Sequence, residues 1–427
     1  MATAGMVETR GMFANRWWIV AASLIGMIVG PGTAVIFVTN VFMVPVTTEL
    51  GWTRGEFSVG LLASAFASPI MTPTFGVLMD KFGIHRVALP AATLYGLSLA
   101  SFALLRPDIH WAIFIMFFCA SGFGASVGPL VYSKAITAWF DKERGRALGI
   151  ATCGVGLGTF LIPVMAQFFV GTFGWRTGYV AVGATTWLLA FWMITLFVRE
   201  PPGYFERMRA ARASAATGGT HPFGLTTKEA VTGTRQFAIL FIIFLIEGTA
   251  NNGILSGHFV PMLIDRGYSA PAAVALLGTS GLAAMVARVI VGFCLDYVPG
   301  PLFCCIVMFL PVAGVGLLAS HAGDPAPFFA AVCIGLAIGA EVDMLGFFVS
   351  RYFGRRSFGT LYGLVFAAFT IGIGVGPVIL GYGFDHYHTY DQILRVYVGV
   401  LVVGALLFLP LGKYRYPKGT EESAGAH

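Results

Sequence analysis

The chain has 427 residues, 57% of them hydrophobic and only 11% charged, against about 25% charged in an ordinary soluble domain. So few charges cannot cover a soluble surface, and the composition places the chain among multi-span membrane proteins. The formal net charge of +6 follows the membrane orientation described below and requires no nucleic-acid partner.

The opening stretch, "MATAGMVETRGMFANR", is polar, and the apolar run behind it is too long for a signal-peptide core, so no cleaved signal is expected. A helix rising about 1.5 Å per residue needs about 20 apolar residues to cross the ~30 Å hydrocarbon core. Twelve segments qualify: roughly 16–43, 56–79, 87–105, 110–139, 145–170, 176–198, 236–263, 270–296, 301–320, 326–350, 358–383 and 391–412. Open sheet in lipid would leave backbone groups unpaired, so all twelve are expected to be helices. The longest connection, 199–235, follows the sixth segment and is rich in Pro, Gly, Ala and Thr. Within it, "TTKEAVTGTRQF" suggests a short surface helix. The six cysteines all lie in apolar segments and read as small buried hydrophobes.

Lys and Arg set the orientation. With both termini cytoplasmic, only Arg54, Arg106, Arg176, Arg266 and Arg395 fall outside, and only Lys134 and Arg288 lie within the membrane. Every other Lys and Arg falls inside. A multi-pass protein of a bacterial inner membrane is expected.

The chain repeats itself. "GVLMDKFGIHR" ends the second segment and "GFCLDYVPGPL" the eighth, and both contain G-x-x-x-D, as Gly76/Asp80 and Gly292/Asp296. "WFDKERGRALG" and "YFGRRSFGTLYG" form a second pair. Each is followed by spaced glycines, Gly154, Gly156 and Gly158 in one half and Gly372, Gly374 and Gly376 in the other. The expected division is a six-helix half over 1–198, a cytoplasmic linker over 199–235, and a second six-helix half with a short tail over 236–427. Two halves about a midplane site are the architecture of secondary transporters.

"GVLMDKFGIHR" resembles the loop 2–3 signature of the major facilitator superfamily, with Gly76, Asp80, Lys81, Gly83 and Arg86 on the motif and Gly292 and Asp296 as its second-half remnant. "MVARVIVG" is similar to the arginine-bearing eighth helix of monocarboxylate transporters. "WFDKERGRALG" resembles relatives of the oxalate:formate antiporter, and "HFVPMLIDRGYS" and "GAEVDMLGFFVSRYFG" look like bacterial members of the same group. The resemblance implies an all-α membrane fold of twelve helices in two pseudo-symmetric halves, a carboxylate substrate and no cofactor. The chain departs from those families at three places. Their helix-eight Asp falls at Ala284, their helix-one Lys near Phe37, and the oxalate exchanger's second cation near Phe369. One cation in the site argues for a monoanion over a dianion.

Depth can be counted along the helices. Arg288 stands eight residues above Asp296, hence about 12 Å above the end of its helix and near the midplane. Asp343 stands eight residues above Arg351, Glu341 ten, and Glu247 about as deep from the start of the seventh segment. An ionised residue there costs about 2.5–3.5 kcal/mol on insertion scales, so each is a functional candidate. Arg288 suits a substrate-carboxylate clamp because its planar fork makes two hydrogen bonds; the other reading is an ion pair between helices. Asp343, at equal depth, is the expected partner of the empty Arg288, and its displacement by substrate would draw in a proton. Glu341, about 200° round the helix from Asp343, points elsewhere. Glu247 is the rival proton carrier.

Glu247, Asn251, Leu255 and His258 form a stripe on one face of the seventh segment. "GTANNGILSG" invites a break in that helix, and His258 is expected to tether its outer end. Lys134 is expected to snorkel toward the cytoplasm. Asn251, Tyr132 and Tyr362 join Arg288 as candidate substrate contacts, with core packing the other reading for the tyrosines. The expected function is secondary active transport of a small organic monocarboxylate with a proton. Alternatives are organic anion exchange, efflux of amphipathic compounds, and a non-transporting sensor. The expected partners are substrate, protons and lipid, the expected state a monomer. No H-E-x-x-H or paired metal ligands occur, and neither an enzyme nor a metal site is expected.

Overall fold

The structure, a computed structural model, describes residues 16–140, 143–198, 224–294, 297–298, 300–354 and 356–416. Twelve helices are long and apolar enough to cross a membrane. They are α1 (Trp17–Leu50), α2 (Arg54–Phe82), α3 (Ile84–Leu104), α4 (His110–Trp139), α5 (Gly145–Phe173) and α6 (Trp175–Phe197). The second six are α7 (Arg235–Asp265), α8 (Ala270–Cys294), α9 (Gly300–Ala319), α10 (Ala326–Phe353), α11 (Phe358–Tyr387) and α12 (Asp391–Leu411). Most of the 199–235 connection lies outside the described residues. Its end forms the expected short helix, Thr227–Gly233, started by a capping box in which Thr226 and Glu229 exchange hydrogen bonds. The backbone N–H of Thr226 and its hydroxyl hold the Glu229 carboxyl below the usual range. Leu225 N–H donates to Phe353 O at 2.8 Å and pins this stretch to the end of α10.

Within the first six helices α1 packs on α5, α2 on α4 and α3 on α6; within the second, α7 packs on α11, α8 on α10 and α9 on α12. The halves meet mainly through α2 with α11 and α5 with α8, and also through α1 with α7. The glycine triplets explain these contacts. A Cβ on Gly154 or Gly158 would lie 2.2 Å from a carbonyl oxygen of α1, and one on Gly156 would lie 2.7 Å from Gly281 O of α8. In the other half a Cβ on Gly372 or Gly376 would strike α7, and one on Gly374 would lie 2.5 Å from Ala65 of α2. The outer glycines of each triplet thus seat the first helix of their own half, and the middle one seats the other half. This is close small-residue packing, and it follows the pseudo-twofold of the sequence repeat.

The two ends of the bundle differ. At the end where α2 begins, the halves are bonded. Arg54 N–H and Gly55 N–H donate to Asp385 at 3.1 and 2.8 Å, and the Arg54 side chain reaches Asp265 and Tyr390. At the opposite end, marked by Asp80, no hydrogen bond joins the halves among the described residues. There a Cβ on Gly76, Gly149 or Gly363 would meet nothing within 4 Å. Among the described residues the halves are bonded at the Arg54 end, and open space lies beside these three glycines at the Asp80 end.

Gly335 and Gly339 let α10 approach α8: a Cβ on Gly339 would lie 2.2 Å from Ala284 O. Gly339→Val is therefore expected to lower thermal stability by about 1–3 kcal/mol, the usual cost of overpacking. Thermal unfolding of the purified protein measures it, and an unchanged melting point would mean that the two helices are not in contact.

Candidate functional site

The middle of α7 is not an ordinary helix. Glu247–Asn252 and Ile254–His258 are π-helical, and Gly32–Phe37 of α1 is π-helical in the corresponding place of the first half. Such widened turns leave backbone groups to be satisfied from outside the helix. Asn40 of α1 does this for α7: its amide donates to Leu255 O at 2.6 Å and accepts from Val260 N–H at 3.1 Å. The bridge crosses between the halves, and nothing in local spacing pointed to Asn40.

The widened turn also lets two adjacent side chains reach one partner. Asn251 and Asn252 each donate an amide N–H to Glu341 of α10, at 2.7 Å to either carboxylate oxygen. Glu341 is 1% exposed, as is Glu247. Glu247 interacts electrostatically with Glu341, yet neither of its oxygens has a hydrogen-bond partner, nor has Asn251 Oδ1. The expected stripe on α7 is thereby split. Asn251 faces α10, Leu255 lines the central cavity, and His258 turns to the Arg54 end. A π turn holds more residues than an α turn, so the helical-wheel register drifts along it.

The central cavity, about 30 Å³, lies where α1, α5, α7, α8 and α10 meet. Phe37, Leu255, Ala284 and Ile338 form apolar walls, Thr159 and Ser280 contribute hydroxyls, and Arg288 contributes the charge. Both hydroxyls already donate to their own backbone, to Val155 O and Leu277 O. Among the described lining residues, Arg288 is then the only one whose side chain has free donors to offer a ligand.

Arg288 lies within electrostatic range of Glu341, Asp343 and Tyr362. Among the described residues it makes no ion pair, so the direct Arg288–Asp343 pair expected from equal depth is not formed. Asp343 is exposed, whereas Glu341 is buried against α7. The two carboxylates point apart, as two positions on a helix must.

Other candidates are placed differently. Tyr132 is fully buried, and its ring fills the space above Gly26 of α1, so it packs the first half and does not line the cavity. Lys134 forms an ion pair with Asp80 near the end of α2 and ties α4 to α2 beside the loop motif. Lys81 lies 5.2 Å from the Phe82 ring centroid, and Gly83 turns between α2 and α3 with φ +91°, a conformation that favours glycine. Arg86 follows in α3, and Gly292 lies near the end of α8. Asp296 lies outside the described residues. Residues 124–128, "GASVG", match the G-x-S-x-G pattern of hydrolase nucleophiles. Ser126 there is fully buried and donates to Phe123 O at 2.7 Å, and Gly124 and Gly128 abut Pro31. The match is a packing feature. Among the described residues no group of three or more His, Cys, Asp or Glu could hold a metal ion.

The network at the Arg54 end was not legible from sequence, apart from the tether at His258. Arg54 grips Asp265 with two hydrogen bonds of 2.6 and 2.8 Å, reaches Tyr390 Oη at 2.7 Å and stacks on Phe384 at 3.9 Å. His258, fully buried, contacts Tyr390 Oη through Nδ1 at 3.0 Å, and through Nε2 it meets Ser58 Oγ at 3.0 Å and Pro377 O at 2.8 Å. This network spans α2, α7, α11 and the start of α12.

Comparison with known proteins bears on the whole chain. It is 24% identical to monocarboxylate transporter 13 of Rattus norvegicus over 364 residues, covering 83% of this chain and 78% of that protein. It is 24% identical to the multi-drug resistance efflux pump PmrA of Streptococcus pneumoniae over 340 residues, covering 77% and 80%. Among solved structures, the inward-open xylose transporter XylE from E. coli superposes with a TM-score of 0.72 at 14% identity, covering 95% of this chain and 98% of that one. The nucleoside transporter NupG superposes with a TM-score of 0.71 at 14% identity, covering 94% and 99%. At such identities the structures speak for the fold alone. The Major Facilitator Superfamily model matches residues 22–377, and with twelve membrane-spanning helices in that fold, the chain belongs to the Major Facilitator Superfamily.

Proposed function

We propose that this transporter carries a small organic monocarboxylate anion, clamped by Arg288 at the meeting of the two halves, together with a proton. One observation carries the reading: a permanent cation lines the central cavity and makes no ion pair among the described residues. That disfavours the structural ion-pair reading of Arg288. Apolar walls with a single donor suit an anion with one charged head and a small apolar body. The relatives named as monocarboxylate transporters support the same substrate class. The Lys and Arg distribution supports an outside position for the Arg54 end, and bonds between the halves at that end, with none at the Asp80 end among the described residues, would then correspond to an inward-facing state of alternating access.

Asp343 is the proposed proton partner. Its side chain is exposed and feels the charge of Arg288. A substrate carboxylate would take over that charge, and a proton on Asp343 would then keep the site neutral. Uptake by the purified protein in liposomes tests this with a panel of mono- and dicarboxylates, with and without a pH gradient. Asp343→Asn is expected to lose accumulation driven by the gradient while keeping some substrate exchange. Proton-driven accumulation that survives in Asp343→Asn would refute the coupling. Preference for dicarboxylates would refute the substrate class.

A further inference from the structure

We propose that Glu247, Asn251 and Glu341 form a binding site for one sodium ion, buried between α7, α10 and α12 and separate from the Arg288 cavity. The two carboxylates are 1% exposed and Asn251 is fully buried. Glu341 holds two amide donors, as an ionised carboxylate does. Glu247 starts the same π-helical segment that carries Asn251 four residues on, and it interacts electrostatically with Glu341, the carboxylate that Asn251 holds. Its Oε1 lies 3.4 Å from where a Cβ on Gly404 would be, so α12 offers it no side chain there. Both oxygens of Glu247 and Oδ1 of Asn251 lack any partner. These three buried acceptors have no donor, and each orphan costs about 1–3 kcal/mol.

Charge and coordination select the occupant. The one cation in range of Glu341, Arg288, is shared with Asp343, so the carboxylates buried here keep negative charge that it does not compensate in a low-dielectric interior. A bound cation offsets that charge, and a monovalent ion does so at a smaller desolvation cost than a divalent one. A proton would supply a single O–H and satisfy at most one further acceptor, leaving another orphaned. A hard metal cation takes several oxygen ligands at once, carboxylate and amide carbonyl included. Sodium combines the required charge with that ligand preference. The site stands whether or not the substrate is a monocarboxylate.

The test uses purified full-length protein with no carboxylate present, melted in NaCl, KCl or choline chloride of equal ionic strength. A saturable rise in melting temperature is expected in NaCl only, with one radiolabelled sodium bound per chain. The isosteric Glu247→Gln should lose the rise and the bound label. Asn251→Ala, which keeps both carboxylates, should shift the response to higher sodium. No sodium response in the unmodified protein would overturn the proposal. Stability that follows pH but not sodium would assign the site to a proton instead. A full sodium response in Glu247→Gln would place the ion elsewhere. None of these outcomes depends on what Arg288 binds, so failure of the carboxylate reading is told apart from failure of this one.

Discussion

Replacing Arg288 with Ala is expected to weaken carboxylate binding by about 10²–10³-fold, since truncating one partner of a desolvated charge pair costs about 2–5 kcal/mol. The fold should survive. Arg288 makes no ion pair among the described residues, so its removal strands no bonded carboxylate, and Glu341 keeps both asparagine donors. Arg288→Lys restores the charge but not the planar fork, and it should remain at least about 10-fold weaker than Arg. Binding by a thermal-shift series and uptake in liposomes measure both variants. Normal transport by Arg288→Lys would show that geometry at this position is irrelevant and that the cation acts only as a field. Loss of folded protein in Arg288→Ala would return it to the role of a structural pair.

Arg54→Ala is expected to release the closed end. The side chain is 13% exposed, so its two bonds to Asp265 are poorly screened, and Tyr390 and Phe384 hold the same guanidinium. Asp385 would still cap the start of α2 through the backbone, and His258 would still bridge Ser58 and Tyr390. A charge-assisted hydrogen bond contributes about 1.5–3 kcal/mol, and 1.4 kcal/mol is tenfold in a population. The equilibrium should therefore move at least about 10-fold toward opening at the Arg54 end. Ala284→Cys lines the central cavity and reports it in a background without the native cysteines. A membrane-impermeant thiol reagent applied from the Arg54 side should label it markedly faster when Arg54 is Ala. Equal labelling rates would show that other contacts hold that end closed.

Much of this protein is set by short-range facts that a sequence displays. A bilayer demands about 20 apolar residues per crossing, so twelve spans can be counted, and glycines at matching places in the two halves announce the repeat. The loop motif from Gly76 to Arg86 carries the family, and charge cost in lipid singles out Arg288, Glu247, Glu341 and Asp343. What each of these meets was decided only by the tertiary structure. Depth along an axis does not tell how a helix is rotated about it, so Arg288 and Asp343 share a level without pairing, and Tyr132 turns into the first half against Gly26. The π-helical turns of α7 shift its register, which sends Asn251 and Asn252 together to Glu341 and leaves Glu247 alone. The remaining decisive contacts, Lys134 with Asp80, Asn40 with Leu255 and Arg54 with Asp265, join residues far apart in the chain. Their partners are chosen by how helices lean and cross, and no local periodicity records that.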